Sequence, residues 1–177
     1  MFKPRRPEIL VLIVAVYIAL VLNQPFWKKF AELVAPHRVS DWLFVGAAVV
    51  AIVLFVYLIL LAFSSKPLLR LLVFILLPTT AAAAYFMTEY GIVIDANMVR
   101  NIFETDTGET GDLITWKLIG YVVLLGIVPA VLFCLVPWTQ RSWRQEALAK
   151  LKYAALASAV LTASVLPVLG NVLSLGR

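Results

Sequence analysis

The stretch "WLFVGAAVVAIVLFVYLILLAF", residues 42–63, decides the fold. It carries no charged side chain, and its length matches the roughly 20 apolar residues that a helix needs to cross a hydrocarbon core of about 30 Å. Inside lipid every backbone N–H and C=O group must find a partner within the protein, and a single segment meets that demand as an α-helix. Residues 42–63 therefore predict a transmembrane helix and place the chain in a bilayer.

Four further apolar stretches flank this one. The whole chain has a mean hydropathy of +0.96 and only 14% charged residues, too few polar side chains to cover a water-soluble globule. We therefore predict an all-α, polytopic membrane protein with short interfacial helices, folded as one transmembrane domain over 1–177. The five spans are expected at about 8–23, 42–63, 67–87, 116–138 and 152–169.

The charged residues predict how the chain is oriented. With a cytoplasmic amino terminus, the inner loops carry nine Lys and Arg residues and the outer loops six, the direction that the positive-inside rule favours. Between Glu89 and Asp112 six acids stand against a single base, Arg100, so the acidic stretch falls outside. The amino-terminal "MFKPRRP" also resembles a secretory signal, but no A-x-A cleavage site follows Leu22. We expect a retained signal anchor and a periplasmic carboxyl terminus.

Two shorter patterns predict local packing. The segment "QPFWKKFAELVAP", residues 24–36, has its apolar side chains on one helical face, which predicts a helix lying in the headgroup layer. In 67–87 the run Pro78-Thr79-Thr80 predicts a kink, where threonine hydroxyls bond the carbonyl that proline leaves free. The last span has Ala155, Ala159 and Ala163 at four-residue spacing, a seam against which another helix can pack closely.

One acidic, hydroxyl-rich passage, "NIFETDTGETGD" at residues 101–112, stands out from the apolar chain. Asp95 can cap a helix over about 96–112. On that helix Asn101, Thr105 and Glu109 follow one another at four-residue spacing and form a polar stripe about 12 Å long. An amide, a hydroxyl and a carboxylate in line can bond a headgroup that has both phosphate-ester oxygens and an ammonium. The alternative is a merely solvated acidic face, and periodicity alone leaves both open.

The run "YGIVIDANMVRNIFETDTGETGDLI", residues 90–114, resembles a known family. Its Asn-x3-Thr-x3-Glu pattern, with Asp95 and Asn97-Met98 before it, is similar to the amino-terminal membrane domain of the lipid A phosphoethanolamine transferases. These enzymes include the MCR colistin-resistance proteins of Gram-negative bacteria. The resemblance covers the whole chain and includes "SSKPLLRLL" at 64–72 and "PTTAAAAYF" at 78–86.

The resemblance implies a function. Members of the family move phosphoethanolamine from phosphatidylethanolamine to a phosphate of lipid A, using a zinc-activated threonine nucleophile in a periplasmic domain with a sulfatase-like fold. By resemblance, Asn101, Thr105 and Glu109 are the substrate-binding residues. From the charge of its side chain we hypothesise that Glu109 contacts the ammonium and that Asn101 and Thr105 contact the ester oxygens. Catalytic residues and the zinc site are expected in that separate domain and not in this chain, which alone would be inactive.

The expected partners are phosphatidylethanolamine, lipid A, other membrane lipids and the periplasmic catalytic domain, in the bacterial inner membrane, with no nucleic acid. An alternative is a stand-alone small inner-membrane protein, such as a transporter subunit or assembly factor. The absence of ionisable groups near the centre of the spans disfavours transport. His37 is expected to be a surface residue, and Glu104, Asp106 and Asp112 are expected to be solvated and not to bind a cation. Tyr85, Tyr90 and Trp116 are expected to be interface anchors.

Overall fold

The computed structural model describes residues 6–91, 115–139 and 142–175, with only the backbone for 90, 143 and 167–175. Within these ranges the chain folds into helices joined by short turns, which confirms the predicted all-α membrane fold. The helix predicted for 96–112 lies outside the described residues. The helices are α1 (Pro7–Val21), α2 (Gln24–Val34), α3 (Val39–Ala62), α4 (Lys66–Tyr90), α5 (Trp116–Leu135) and α6 (Trp143–Leu175).

Four of the helices, α3 to α6, are long and apolar enough to cross a membrane. A fifth crossing is counted if α1 and α2, which meet at an angle of 56°, are taken as one bent span. The stretch predicted at 8–23 corresponds to α1 alone, which ends at Val21. The chain is a multi-pass membrane protein.

Helix α6 begins well before the apolar stretch predicted at 152–169. Its first two turns hold the side chains of Glu146 and Lys150, whose charged atoms lie 3.0 Å apart one helical turn from each other. Such a pair stabilises a helix surface, and the neighbouring Ala, Leu, Gln and Lys residues are strong helix formers. Arg144, Lys150 and Lys152, which were expected in a loop, therefore lie on a helix.

The small-residue seam of α6 does not contact the bundle. Ala155, Ala159 and Ala163 are exposed, whereas Ala157 is buried and Tyr153 packs against the core beside it. The predicted packing face was therefore wrong within this chain, because Tyr153 and Ala157 lie on a different side of the helix.

Helix α4 is the most buried of the four helices long enough to cross a membrane. Its buried residues recur every three or four positions along one face, as expected for a helix that packs on one side. It packs along α5 and also contacts α2, while α3 packs against α1 and α6. The residues of this face are Leu69, Val73, Leu77, Ala81 and Ala84.

The backbones of α4 and α5 are in direct contact at Gly126. A Cβ atom on Gly126 would lie 2.6 Å from Cα of Pro78, so only glycine fits there without movement of the backbone. Helix α4 runs unbroken through Pro78. The carbonyl that this proline leaves free belongs to Phe74, four residues earlier, but the Thr79 hydroxyl donates to Ile75 O at 2.8 Å. The prediction that a threonine hydroxyl bonds the freed carbonyl was therefore wrong, because the hydroxyl bonds the carbonyl of the next residue.

A hydrogen bond links a π-helical turn in α1 to a π-helical turn in α5. The turn Tyr17–Val21 ends α1, and the turn Val123–Ile127 interrupts α5. The Tyr17 hydroxyl donates to the carbonyl of Leu125 at 2.8 Å. In an α-helix that carbonyl would accept from residue 129, which is a proline without an N–H group. The tyrosine hydroxyl therefore supplies a missing donor in an apolar environment.

The bundle has two ends. We call the end where α1, α4 and α6 begin the amino-terminal end, and the end where α4 stops at Tyr90 and α5 starts at Trp116 the pocket end. Helix α2 lies at the pocket end.

Candidate functional site

A polar cavity of about 260 Å³ opens at the pocket end, between α2, α4 and α5. Helix α2 contributes Lys28, Lys29 and Glu32, and the end of α4 contributes Thr88 and Gly91. Tyr121 of α5 forms part of the wall. The cavity therefore combines cations, a carboxylate and hydroxyls beside the membrane-spanning part of the protein.

Helix α2 is fixed beside the cavity by its aromatic face. The indole N–H of Trp27 donates to Ala19 O at 2.6 Å, which gives a partner to a carbonyl in the π turn of α1. Phe30 stacks on Phe44 of α3 with ring centroids 5.9 Å apart. The prediction of an amphipathic helix in 24–36 is confirmed as far as the helix itself is concerned. Because its aromatic side is packed, Lys28 and Lys29 remain exposed.

The charges of α2 are available to a ligand. Lys29 and Glu32 are 3.1 Å apart, but their side chains are 54% and 65% exposed. An ion pair so open to water is worth between 0 and about 1 kcal/mol. A bound group can therefore compete for either charge, and Lys28 adds a second cation. This arrangement suits a zwitterion with a phosphate and an ammonium.

The ends of α4 and α5 are tied together beside the cavity. The Tyr85 hydroxyl and the Thr115 hydroxyl are 3.0 Å apart and hydrogen-bonded. The same Thr115 oxygen caps α5 by accepting the N–H of Leu118 at 3.1 Å. Lys117 forms an ion pair with Glu89. These contacts hold the end of α4 against the start of α5.

The aromatic residues of this region divide into two environments. Tyr85 is 4% exposed, so its prediction as an interface anchor was wrong; its ring lies against Tyr121 at a centroid distance of 5.8 Å. Trp116 is 88% exposed at the start of α5. His37 is exposed, and its backbone N–H donates to Asp41 in the cap of α3.

The predicted substrate residues Asn101, Thr105 and Glu109 lie outside the described residues. The cavity is lined by Gly91, the residue that precedes 92–114 in the chain. Sequence reasoning missed Lys28, Lys29 and Glu32, since it noted only that the apolar side chains of 24–36 share one helical face. The signal that could have found them is the pair of adjacent lysines on the polar face of that helix.

The described residues do not fit a zinc site. In 6–91, 115–139 and 142–175 no group of three His, Cys, Asp or Glu side chains is placed to hold a metal ion. The single cysteine, Cys134, is partly buried as a free thiol.

The fold and the cavity together define a multi-pass α-helical membrane protein with a polar site at one end of its bundle. A family model described as "Phosphoethanolamine transferase EptA/EptB" matches residues 52–177. The chain belongs to this family.

Several relatives support this assignment. Phosphatidylethanolamine transferase Mcr-2 of Escherichia coli is 30% identical over 138 residues, which covers 77% of this chain and 25% of the relative. Mcr-1 of Escherichia coli is 32% identical over 141 residues, with the same two coverages. Phosphoethanolamine transferase EptA of Salmonella typhimurium is 34% identical over 122 residues, covering 68% of this chain and 22% of the relative. The chain thus spans about a quarter of the length of these curated relatives.

A solved structure shows the same fold. The integral membrane protein lipooligosaccharide phosphoethanolamine transferase A (EptA) from Neisseria meningitidis superimposes with a TM-score of 0.87 over 98% of this chain and 32% of that chain, at 22% identity. The chain therefore has the fold of a phosphoethanolamine transferase membrane domain.

Proposed function

We propose that this chain is the membrane-anchoring and lipid-docking domain of an enzyme that moves phosphoethanolamine from phosphatidylethanolamine to lipid A. The single observation that carries the proposal is the polar cavity at the pocket end, which combines Lys28, Lys29 and Glu32 with Gly91, the residue that leads into the 92–114 segment. Family membership supports the same assignment.

The cavity residues suit the two charges of the donor headgroup. Lys28 and Lys29 would attract the phosphodiester, and a Lys ammonium binds phosphate as a compact point charge. From the 92–114 segment, Glu109 would contact the ethanolammonium, and Asn101 with Thr105 would bond the ester oxygens. Glu32 offers a second carboxylate on the cavity wall.

The position of the cavity matters because the donor is held by its acyl chains. Each methylene withdrawn from the bilayer costs about 0.8 kcal/mol, so the transferring groups must come to the lipid. A cavity lined by an amphipathic helix and by the end of a membrane-spanning helix lies near headgroup depth. The domain would hold the phosphodiester bond at a height that a second domain can reach.

We further propose that the chain lies in the bacterial inner membrane with its amino terminus in the cytoplasm and its pocket end in the periplasm. The loop-charge bias supports this orientation. Attachment of an ethanolamine ammonium would lower the negative charge of lipid A, and cationic antibiotics such as colistin would then bind it less strongly. A resistance role follows from that chemistry.

The bond-breaking step is proposed to take place in the remaining length of the relatives. The resemblance assigns a zinc-activated threonine nucleophile to that part, and zinc would supply Lewis-acid activation there. The described part of the chain contributes anchoring and headgroup binding. The 177 residues alone are expected not to transfer phosphoethanolamine.

The test is a transfer assay in membranes that contain the complete enzyme. We expect Glu109→Ala, Asn101→Ala and Thr105→Ala each to lower transfer about tenfold or more, the loss expected for one hydrogen bond to a charged group. The matched control is Thr110→Ala, which lies about 180° from Asn101 on the predicted helix. Full activity in all three stripe variants at equal protein level would refute the assignment.

A binding assay isolates the docking role. Phosphatidylethanolamine should co-purify with the 177-residue chain and be lost in Glu109→Gln and in the double variant Lys28→Gln, Lys29→Gln. Retention equal to wild type in both variants would instead favour the stand-alone membrane protein.

A further inference from the structure

An apolar groove of about 330 Å³ opens between α1, α4 and α5, away from the polar cavity. No polar surface lines it, and its walls include Ile13 and Tyr17 of α1, Leu77 of α4, and Leu132, Phe133 and Val136 of α5. Its volume lies within the range of ligand-binding pockets, roughly 300–1,000 Å³. The groove follows α5 down to Val136, close to the amino-terminal end of the bundle.

An arginine lies near this groove without lining it. Arg70 precedes Leu77 by seven residues, so the two lie on one face of α4 about 10 Å apart along the helix axis. The Arg70 guanidinium lies 5.9 Å from the centre of the Trp138 ring. Trp138 in turn packs edge-on against Phe133, a groove residue, with ring centroids 6.0 Å apart. A continuous set of contacts therefore leads from the groove wall to the guanidinium.

Two buried hydrogen-bond donors at this position have no acceptor. Nε of Arg70 and Nε1 of Trp138 are buried and have no hydrogen-bond partner among the residues described. Trp138 is only 9% exposed, and most buried donors in proteins do have a partner. Arginine and tryptophan side chains donate and cannot accept. The partner that would satisfy them is an acceptor, and beside an arginine it is best an anion.

We propose that this end of the bundle binds one anionic phospholipid, with an acyl chain in the groove and its phosphate at Arg70 and Trp138. Arg70 is partly exposed and lies one helical turn after the exposed Lys66, the first residue of α4. A phosphate bound there would lie at headgroup depth. Lys66 adds a second positive charge on the same side. Glu8 is two residues from Leu10 and so lies about 200° around α1 from this groove residue. Its buried carboxylate therefore lies on the side of α1 away from the groove wall.

This lipid would differ from the transfer donor in place and in charge. The groove extends to Val136 near the amino-terminal end, and the polar cavity lies at the pocket end. A net negative lipid is favoured here because the two donors beside the groove, on Arg70 and Trp138, belong to a cation and a neutral indole. The role is that of a structural lipid that fills the gap between α1, α4 and α5.

The test uses native mass spectrometry on the delipidated 177-residue chain in detergent, in a Lys28→Gln, Lys29→Gln background that removes phosphatidylethanolamine binding at the polar cavity. The chain is titrated with dioleoyl-phosphatidylglycerol, with dioleoyl-phosphatidylethanolamine and with inorganic phosphate. One phosphatidylglycerol per chain should bind about tenfold more tightly than phosphatidylethanolamine with the same tails. Inorganic phosphate should not displace it, because the acyl chain contributes to binding. Equal affinity for the two lipids, or displacement by phosphate, would overturn the proposal.

Variants separate the headgroup and tail contributions. Arg70→Met should lower phosphatidylglycerol affinity about tenfold, and Trp138→Phe should lower it less because the ring remains. Ile13→Trp, at a groove residue that is 58% exposed, should obstruct the tail and weaken both lipids without removing a charge. Lys152→Gln removes an exposed charge from the same end and should change nothing.

Wild-type affinity in Arg70→Met would refute the headgroup site. Circular dichroism in detergent checks that each variant is folded. Should Arg70→Met not fold, Trp138→Phe and Ile13→Trp decide the matter, and wild-type binding in both would refute the proposal.

Discussion

Gly126 allows the α4 and α5 backbones to touch. Because a Cβ atom there would lie 2.6 Å from Pro78 Cα and 3.2 Å from Leu77 O, an added methyl group meets backbone, which cannot rotate away. We expect Gly126→Ala to destabilise the fold by about 1–3 kcal/mol, the usual cost of overpacking. The thermal unfolding midpoint in detergent measures this.

Gly120→Ala is the matched control. A Cβ atom at Gly120 would have nothing within 4 Å, so alanine should be neutral or should stabilise the helix by up to about 1 kcal/mol. Equal midpoints for the two alanine variants would contradict the close contact.

The Tyr17 hydroxyl bonds a carbonyl that has lost its helical donor. Tyr17→Phe should lower the free energy of unfolding by between about 0.6 and 1.7 kcal/mol. These are the average and upper values measured for side-chain hydrogen bonds inside membranes. Tyr153→Phe is the control, since the structure gives that hydroxyl no hydrogen bond within the described ranges. Detergent unfolding curves compare the two variants, and an effect as small as that of the control would argue against the Tyr17–Leu125 bond.

At the scale of helices, hydropathy along the sequence was sufficient to predict α3, α4 and α5. Their apolar stretches approach the length needed to cross the bilayer, and Trp42, Lys66 and Trp116 lie at or near their starts. It was not sufficient for α6, because the pair Glu146–Lys150 and strong helix formers extend the helix into a charged region. The π turn in α5 was also not predictable, since its hydrogen bond comes from Tyr17, which is 108 residues away.

The candidate site was predictable only in part. Asn101, Thr105 and Glu109 stand out by spacing within one segment, and their roles stay predictions. Lys28 and Lys29 line the cavity because Trp27 holds α2 against α1. A helical wheel places Lys28 and Lys29 on the polar face of α2. It does not show that the ends of other helices lie beside that face.

Helix α2 offers a test of that anchoring. In Trp27→Phe the bond to Ala19 O is lost while an aromatic ring remains, so α2 should be held less firmly against α1. A spin label introduced at Leu33, which is 77% exposed, should then become more mobile. Trp42→Phe replaces a Trp that is 62% exposed on α3 and should leave the label unchanged. Identical spectra for all three proteins would show that this hydrogen bond does not position α2.

For the whole molecule, orientation in the membrane is the main prediction. In a Cys134→Ser background, Ser40→Cys at the pocket end should react with a membrane-impermeant maleimide in spheroplasts. Ser142→Cys, at the amino-terminal end, should react only after lysis. Both serines are exposed, so accessibility in the fold is matched. The reverse labelling pattern would show that the pocket end faces the cytoplasm.

The short first helix has a consequence for the surrounding lipid. At 1.5 Å per residue α1 is about 22 Å long, well short of a hydrocarbon core of about 30 Å, whereas α3 with its 24 residues reaches about 36 Å. Hydrophobic mismatch of this kind draws the two leaflets closer together beside the shorter segment. The membrane would then form a shallow dimple next to α2, where acyl chains are shortened and disordered, and a phospholipid there would need less work to tip its headgroup out of the leaflet.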